Sequence, residues 1–179
     1  MSWAVQPLPT RGPLFEGAIG VYGRAFAEPP YSDPDRGSEI RARLQDTHSL
    51  RFGFRAYAAV LSDGKVVGMI YGYRGAAGQW WHDMVVKQLS PDVTARWMND
   101  SYELVEVAVD PAYQALGIGE ALITRLLDGR PEATCVLSTR TDSRAHALYK
   151  RLGFEVITEM AFAPRGARFY IMGKRLRRD

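Results

Sequence analysis

The feature that most constrains the fold is a buried strand pattern that leads, through a short loop, into a helix with glycines in its first turn. The strand pattern covers residues 103–109, and the helix pattern begins at Ile118 between Gly117 and Gly119. The first backbone N–H groups of a helix have no partner within it, and the helix dipole adds roughly half a positive charge there. Since glycine lets an anion approach this backbone closely, the loop favours binding of a phosphate or pyrophosphate.

Strand and helix patterns alternate along the chain, which predicts a mixed α/β sheet with helices on its faces. The predicted strands cover residues 3–8, 54–61, 65–73, 103–109, 133–139, 154–162 and 169–172. The predicted helices begin at Pro13, Glu39, Trp80, Pro91, Ile118 and Ala145. Asp63-Gly64 between the second and third strands is typical of a hairpin turn, and Ser90 before Pro91 is typical of a helix N-cap.

Composition excludes several classes of protein. The chain has 179 residues, of which 46% are hydrophobic and 24% charged, so it can bury the core of one domain over residues 1–179. Cys135 is the only cysteine, and the three histidines never approach metal-ligand spacing, so we expect neither an internal disulfide nor a metal site. The chain start has no secretory pattern, and no apolar run approaches the ~18 residues of a membrane span. We therefore expect a cytoplasmic, single-domain protein that does not contact a membrane.

The positive charge is concentrated at one end of the chain. The net charge is +3, and residues 174–179 carry all of it, so residues 1–173 sum to zero. We expect these six residues to follow the last strand as a tail. Because a nucleic-acid interface needs a basic face on the folded body, the sequence predicts no nucleic-acid partner.

The glycine loop matches neither of two common nucleotide-binding motifs. It lacks the Gly-Lys-Ser/Thr ending of a P-loop, and a dinucleotide fingerprint would need a third glycine at Leu122. Residues 114–119, Gln-Ala-Leu-Gly-Ile-Gly, instead resemble the acetyl-CoA signature Gln/Arg-x-x-Gly-x-Gly/Ala of the GNAT acetyltransferases. Residues 145–154 resemble a second motif of that family, Ala-x-x-Leu-Tyr-x-x-x-Gly-Phe, with one strand between the two as in the family. The ordered pair is far more specific than either motif alone.

The resemblance implies a GNAT-like, mostly antiparallel central sheet flanked by helices. Residues 74–101 then form a helical insertion, because many members of the family join the two flanking strands by a short turn. The resemblance also implies an N-acetyltransferase that uses acetyl-CoA as cosubstrate, without a metal, by direct attack of an amine in a ternary complex.

The resemblance also implies where acetyl-CoA would lie. Strand backbone at Val107 and Val109 would pair with the pantetheine arm, and amides at 116–121 would hold the pyrophosphate. The residues assigned to the cofactor are Val107, Ala108, Val109, Gln114, Leu116, Gly117, Ile118, Gly119, Glu120, Ala121, Asp142 and Ala145. Asp142 stands where many members have Asn, so it either contacts CoA or caps the following helix, and we favour the cap.

Glu106 and Tyr149 are the predicted catalytic residues. A Lys-like amine is only ~0.04% neutral at pH 7, so acyl transfer to it needs a base. Glu106 is a lone carboxylate in an apolar strand, where desolvation would raise its pKa, although a salt-bridged or edge-exposed glutamate is the alternative. The periodicity around Tyr149 is that of a core aromatic, whereas the resemblance implies that its phenol faces the CoA sulfur and supports the departing thiolate.

The acceptor site is less well defined by the sequence. The resemblance places it beneath the first two helices and their loop, which contains Phe26 and Tyr31. Trp80, Trp81 and Trp97 of the insertion offer surfaces for a flat substrate, and a small satellite core or a homodimer contact is the alternative. We expect a small-molecule amine as acceptor. A protein or peptide amine is the alternative, and a non-catalytic acyl-CoA-binding module is the alternative of another class.

Overall fold

The computed structural model describes residues 2–177. Its strands are β1 (Trp3–Pro7), β2 (Arg55–Leu61), β3 (Val66–Arg74), β4 (Ser101–Val109), β5 (Thr134–Arg140), β6 (Glu155–Ala161) and β7 (Arg168–Arg175). Its α-helices are α1 (Pro13–Ala27), α2 (Arg36–Asp46), α3 (Trp80–Val86), α4 (Pro91–Trp97), α5 (Ile118–Leu127) and α6 (Ala145–Arg151). Short 3₁₀ turns cover His48–Leu50 and Pro111–Tyr113, neither of which the sequence patterns predicted.

The strands form one sheet in the order β1-β2-β3-β4-β5-β7-β6. The pairs β1–β2, β2–β3, β5–β7 and β6–β7 are antiparallel, whereas β4 and β5 are parallel, with Ser101 opposite Thr134 and Glu103 opposite Val136. The β2–β3 hairpin closes through Gly64, whose φ of 91° requires a residue without a Cβ. The prediction of a mixed, mostly antiparallel sheet flanked by helices is confirmed.

The chain divides into two compact units, and the first comprises residues 2–73 and 104–128. Its core contains the apolar face of α1, including Phe15 and Tyr22, together with Ile40 and Leu44 of α2. Helices α1 and α2 cross closely, as the distance of 3.4 Å between a Cβ built on Gly37 and Cα of Gly23 shows. This close crossing places the first residue of α2, Arg36, against the side chains of α1.

The second unit comprises residues 74–103 and 129–177 and has a core of its own. This core consists of Val85, Trp97, Met98, Val136, Met160 and Ile171. Trp97 packs against β7, where a Cβ on Gly173 would lie 2.5 Å from the indole. Helix α4 begins at the predicted cap, since Ser90 Oγ accepts the Val93 N–H at 3.3 Å. The helical insertion of residues 74–101 therefore packs as part of this unit.

The two largest differences from the predicted boundaries are of three residues each. Helix α2 begins at Arg36, three residues before the predicted start, because the contact of Gly37 with α1 stabilises an additional turn. Strand β7 continues to Arg175, so the prediction that residues 174–179 follow the last strand is wrong for Lys174 and Arg175. These two residues pair with Cys135 and Thr134 of β5, which extends the strand. Arg178 and Asp179 lie outside the described residues.

Within residues 2–177, the helices are all too short or too polar to cross a lipid bilayer. In that same part of the chain, no three His, Cys, Asp or Glu side chains come together as a group that could hold a metal ion.

Candidate active site

The glycine turn between β4 and α5 has a backbone suited to a pyrophosphate. Gly117, directly before α5, has φ 83° and ψ 5°, and a Cβ built on it would meet nothing within 4 Å. The Ala121 N–H donates a hydrogen bond to the Gly117 carbonyl at 3.1 Å. The N–H groups of residues 118–120 therefore have no acceptor in a preceding turn of the helix. Residues 114–117 are exposed. An anion can therefore reach the N-terminal amides of α5, where the helix dipole favours it.

Asp110 holds the start of this turn. Its carboxylate accepts hydrogen bonds from the Ala112 N–H and from Nε of Arg24 on α1, each at 3.0 Å. Burial acts to raise the pKa of Asp110, but these two donors outweigh it and hold the pKa below its usual range. The sequence prediction missed both residues, although Asp110 before Pro111 is a recognisable cap signal. The ion pair ties the end of β4 to α1.

The strand positions assigned to the cofactor lie in β4, directly before the turn. Ala108 is buried in the core of the first unit, whereas Val107 and Val109 are partly exposed. The Gln114 side chain reaches back and donates to the Val109 carbonyl at 3.4 Å. The assignment of these residues to acetyl-CoA remains a prediction.

Glu106, in the middle of β4, is a nearly buried carboxylate. Its side chain is 11% exposed, and its Oε1 lies 3.9 Å from Nη2 of Arg36. Burial raises the pKa of Glu106, while the Arg36 charge, a hydrogen bond from the Tyr22 hydroxyl and the charge of Arg43 act in the opposite direction. The expected desolvation is confirmed, and the salt-bridged alternative is present as well. A carboxyl group with a raised pKa is suited to accept a proton from an amine near neutral pH.

Arg36 lies among three aromatic rings next to Glu106. Its guanidinium carbon is 4.3 Å from the centre of the Phe26 ring, 5.0 Å from that of Tyr31 and 5.9 Å from that of Tyr22. Its Nε–H donates to the Tyr22 hydroxyl at 2.8 Å. Two of the predicted acceptor residues, Phe26 and Tyr31, thus lie together beside the guanidinium. The sequence prediction missed Arg36 because α2 was expected to begin after it, and missed Tyr22 because its spacing is that of a core residue.

A second buried polar pair lies in the same unit. Nδ1 of His48 is 2.8 Å from the Tyr71 hydroxyl. Burial, with the charges of Arg51 and Arg43, lowers the pKa of His48 to about 4. Burial, followed by the charge of Glu106, raises the pKa of Tyr71 well above its usual value. Both groups are therefore neutral at pH 7.

Tyr149, the second predicted catalytic residue, lies on α6 in the second unit. Its side chain is buried, and its ring meets Phe154 edge-on at 5.8 Å between ring centres. The Phe154 N–H donates to the Tyr149 carbonyl at 2.9 Å, which fixes the end of α6.

Asp142 does not cap α6, so that prediction is wrong. Arg140 donates to both of its carboxylate oxygens, at 3.0 and 2.9 Å, and these bonds lower the pKa of Asp142. The Ala145 N–H instead donates to Ser143 Oγ at 3.2 Å. The assignment of Asp142 and Ala145 to the cofactor is still a prediction.

The three tryptophans of the insertion have different surroundings. Trp97 is buried, so the satellite-core alternative is confirmed for it. Trp81 packs against the same core, and its Nε1–H donates to Ser138 Oγ at 3.0 Å. Trp80 is 63% exposed, with its ring 5.7 Å from that of Phe162. An acceptor role for Trp80 and Trp81 remains a prediction.

Comparison with known proteins supports the same assignment of family. The model of the Acetyltransferase (GNAT) family matches residues 21–154. The GCN5-like protein acetyltransferase Rv2170 of Mycobacterium tuberculosis is 37% identical over 191 aligned positions, which cover 89% of this chain and 90% of that protein. The N-alpha-acetyltransferase RimI of the same organism is 46% identical over 55 residues, 30% of this chain and 35% of that protein.

Solved structures share the fold. The ribosomal-protein-S18-alanine N-acetyltransferase of Escherichia coli superposes with a TM-score of 0.66 at 22% identity, covering 99% of this chain and 96% of that one. PH1933 of Pyrococcus horikoshii superposes with a TM-score of 0.69 at 19% identity, covering 97% and 98%. The chain belongs to the GNAT acetyltransferase family and is an N-acetyltransferase that uses acetyl-CoA.

Proposed function

We propose that this enzyme acetylates an amine of a polypeptide, with Glu106 as the general base. The observation that carries the proposal is the carboxylate of Glu106, which is nearly buried and has a raised pKa. Tyr22 and Arg36 lie beside it, and the strand of Glu106 leads into the glycine turn. Removing the proton from a Lys-like amine at pH 7 costs roughly 4.6 kcal/mol. A base positioned at the acceptor amine, directly or through one water, lowers that cost at the moment of attack.

The glycine turn would hold acetyl-CoA by its pyrophosphate. Gly117 leaves open space beside the N-terminal amides of α5, and Asp110 keeps the turn in place. Val107 and Val109, which are partly exposed residues, would pair their backbone with the pantetheine arm. When bound, acetyl-CoA supplies a thioester whose carbonyl carbon accepts the amine nitrogen.

Tyr149 would support the departing sulfur. In the transfer, a carbon–nitrogen bond forms, the carbon–sulfur bond breaks, the amine proton moves to Glu106, and the sulfur leaves as a thiolate. A phenol of pKa ~10 protonates a thiolate of a thiol of pKa ~8.5 only unfavourably. Tyr149 therefore acts by donating a hydrogen bond, and the thiolate takes its proton from solvent.

The choice of a polypeptide acceptor rests on the relative that is similar along nearly the whole chain. That relative is named a protein acetyltransferase, and it is 37% identical over 89% of this chain. This likeness outweighs the preference for a small molecule that the tryptophans of the insertion suggested, because Trp97 and Trp81 pack in a core. A small-molecule amine is the second candidate, favoured by the exposed ring of Trp80 beside Phe162.

The test is CoA release with a panel of peptides, small amines and amino sugars. We expect turnover with peptides, and we expect Glu106→Gln to lower kcat by roughly 10²–10⁴-fold. Tyr149→Phe should lower kcat without raising the KM for acetyl-CoA. The matched controls are Glu159→Gln, an exposed carboxylate in the second unit, and Tyr57→Phe on β2, which should both retain wild-type rates.

Two results would contradict the proposal. If CoA release is unchanged in both Glu106→Gln and Tyr149→Phe, the assigned mechanism is wrong. If amino sugars or other small amines are acetylated while peptides are not, the acceptor class is wrong and the small-molecule alternative replaces it.

A further inference from the structure

Arg36 holds an unusual position for a charged side chain. It is the first residue of α2, and its neighbour Gly37 sits against α1 so closely that a Cβ there would lie 3.5 Å from the Ile19 carbonyl oxygen. The guanidinium therefore lies against the rings of Tyr22, Phe26 and Tyr31 rather than extending into solvent. A cation stacked on aromatic faces is fixed in plane and partly desolvated.

The donors of Arg36 are mostly unused. Its side chain is 28% exposed. Within the part of the chain that the structure describes, only Nε–H makes a hydrogen bond, to the Tyr22 hydroxyl at 2.8 Å. Nη2 lies 3.9 Å from Glu106 Oε1, beyond hydrogen-bond distance. The Nη groups of a rigid guanidinium thus stand beside the proposed base with N–H donors still available.

We propose that Arg36 binds the carbonyl oxygen adjacent to the acceptor amine, and so selects the α-amine of a polypeptide N-terminus over the side-chain amine of lysine. The inference rests on the proposed role of Glu106 as base. It assigns to Arg36 a contact with the acceptor, in addition to its ion pair.

The dimensions of an α-aminoacyl unit fit this pair of residues. Nitrogen and carbonyl oxygen are separated by Cα and the carbonyl carbon, which places them about 2.7–3.6 Å apart. Glu106 Oε1 and Arg36 Nη2 are 3.9 Å apart. An amine that is hydrogen-bonded to the Glu106 carboxylate therefore brings the adjacent carbonyl oxygen of the acceptor within reach of the Arg36 guanidinium. The ε-amine of lysine has no oxygen at that distance and leaves the Nη donors without a partner.

The charge of Arg36 also favours the neutral form of any amine that lies beside it, and an α-amine needs the smaller shift. The nitrogen must be neutral to attack, and a fixed positive charge nearby disfavours the ammonium form. An α-amine of pKa ~7.8 is already roughly 10–15% neutral at pH 7, against ~0.04% for a lysine amine. Arg36 therefore shifts the acceptor in the direction that the reaction needs.

The experiment compares matched acceptors by kcat/KM for CoA release, expressed per neutral amine. Alaninamide and isopropylamine differ only in that a methyl group replaces the carboxamide, and Nα-acetyl-lysinamide offers only the ε-amine. We expect the wild-type enzyme to prefer alaninamide over both by at least about tenfold, the value of one charge-assisted hydrogen bond. A peptide with a free N-terminus should react at least as well as alaninamide, and free alanine less well.

Arg36→Lys separates recognition from a merely structural role. The variant keeps the positive charge beside Glu106 but loses the planar fork, so we expect the preference for alaninamide over isopropylamine to fall several-fold, mainly through KM. The readout is the ratio of the two kcat/KM values, which a general loss of activity in the variant would leave unchanged. Arg41→Lys, on the same helix and paired with Glu16, is the control that should keep the wild-type preference.

The outcomes distinguish this inference from the proposed function. Equal losses for all acceptors in Arg36→Lys, or a wild-type enzyme that does not distinguish alaninamide from isopropylamine, overturn the role of Arg36 while leaving acetylation intact. The wild-type comparison decides the matter even if the variant does not fold. Preference for free alanine over the peptide overturns the N-terminal assignment. Absence of CoA release with every peptide and amine overturns the proposed function itself.

Discussion

The carboxylate of Glu106 and the guanidinium of Arg36 face each other at 3.9 Å, close enough for charge interaction but too far for a hydrogen bond. The Tyr22 hydroxyl joins them, because it accepts from Arg36 Nε and donates to Glu106. Burial raises the pKa of Glu106, and the charge of Arg36 opposes that rise. The proton affinity of the proposed base thus depends on burial, which raises its pKa, and on Arg36, Tyr22 and Arg43, which lower it.

This balance predicts a pH dependence. The base acts when ionised, so kcat/KM for the acceptor, expressed per neutral amine, should rise with pH through the raised pKa of Glu106 and then level off. Arg36→Gln removes the opposing charge, and its midpoint should therefore move to higher pH. The measurement is CoA release from pH 5 to 9 with two acceptors of different amine pKa. A midpoint that follows the acceptor and is unchanged in Arg36→Gln would contradict the assignment to Glu106.

The sequence predicted those parts of the site that depend on neighbouring residues in the chain. The glycine turn and the buried Glu106 both follow from local pattern, since a strand, a loop and a helix start are adjacent there. Arg36 and Asp110 were missed because their roles depend on contacts with α1. The length of β7 was likewise missed, because pairing with β5 extends it across two basic residues. Tertiary contacts determined each of these differences.

The conformation of Gly117 predicts a specific effect on cofactor binding. Its φ of 83° is strained for any residue with a Cβ, by about 1–2 kcal/mol. We expect Gly117→Ala to relieve this strain by shifting the turn, which should weaken CoA binding by about tenfold. Gly64→Ala is the matched control, because Gly64 also has a positive φ and open space but closes the β2–β3 hairpin. Titration calorimetry with CoA should show weaker binding only in Gly117→Ala. Equal CoA affinities of the wild type and Gly117→Ala would contradict binding at this turn.

The buried His48 predicts a loss of stability in acid. Its folded-state pKa of about 4 lies below the usual value near 6.5, so the unfolded chain binds protons more readily than the folded one. The stabilising contribution is complete above about pH 6.5 and is lost as pH falls toward 4. His48→Gln keeps a polar group beside Tyr71 without this titration. The free energy of unfolding of the wild type relative to His48→Gln should therefore fall over that interval in urea titrations, and a constant difference would contradict the prediction.

Trp97 and Trp80 provide a matched pair that tests how the insertion is stabilised. Trp97 is buried against Gly173 in the core of the second unit, whereas Trp80 is largely exposed. Trp97→Ala should therefore lower the free energy of unfolding by about 3–5 kcal/mol, because it leaves a large cavity. Trp80→Ala should change it by about 0.5 kcal/mol or less. Chemical denaturation of the two variants measures both values. If Trp80→Ala lowered the free energy of unfolding as much as Trp97→Ala does, the ring of Trp80 would contribute to the fold. Trp80 would then not be a free surface for an acceptor.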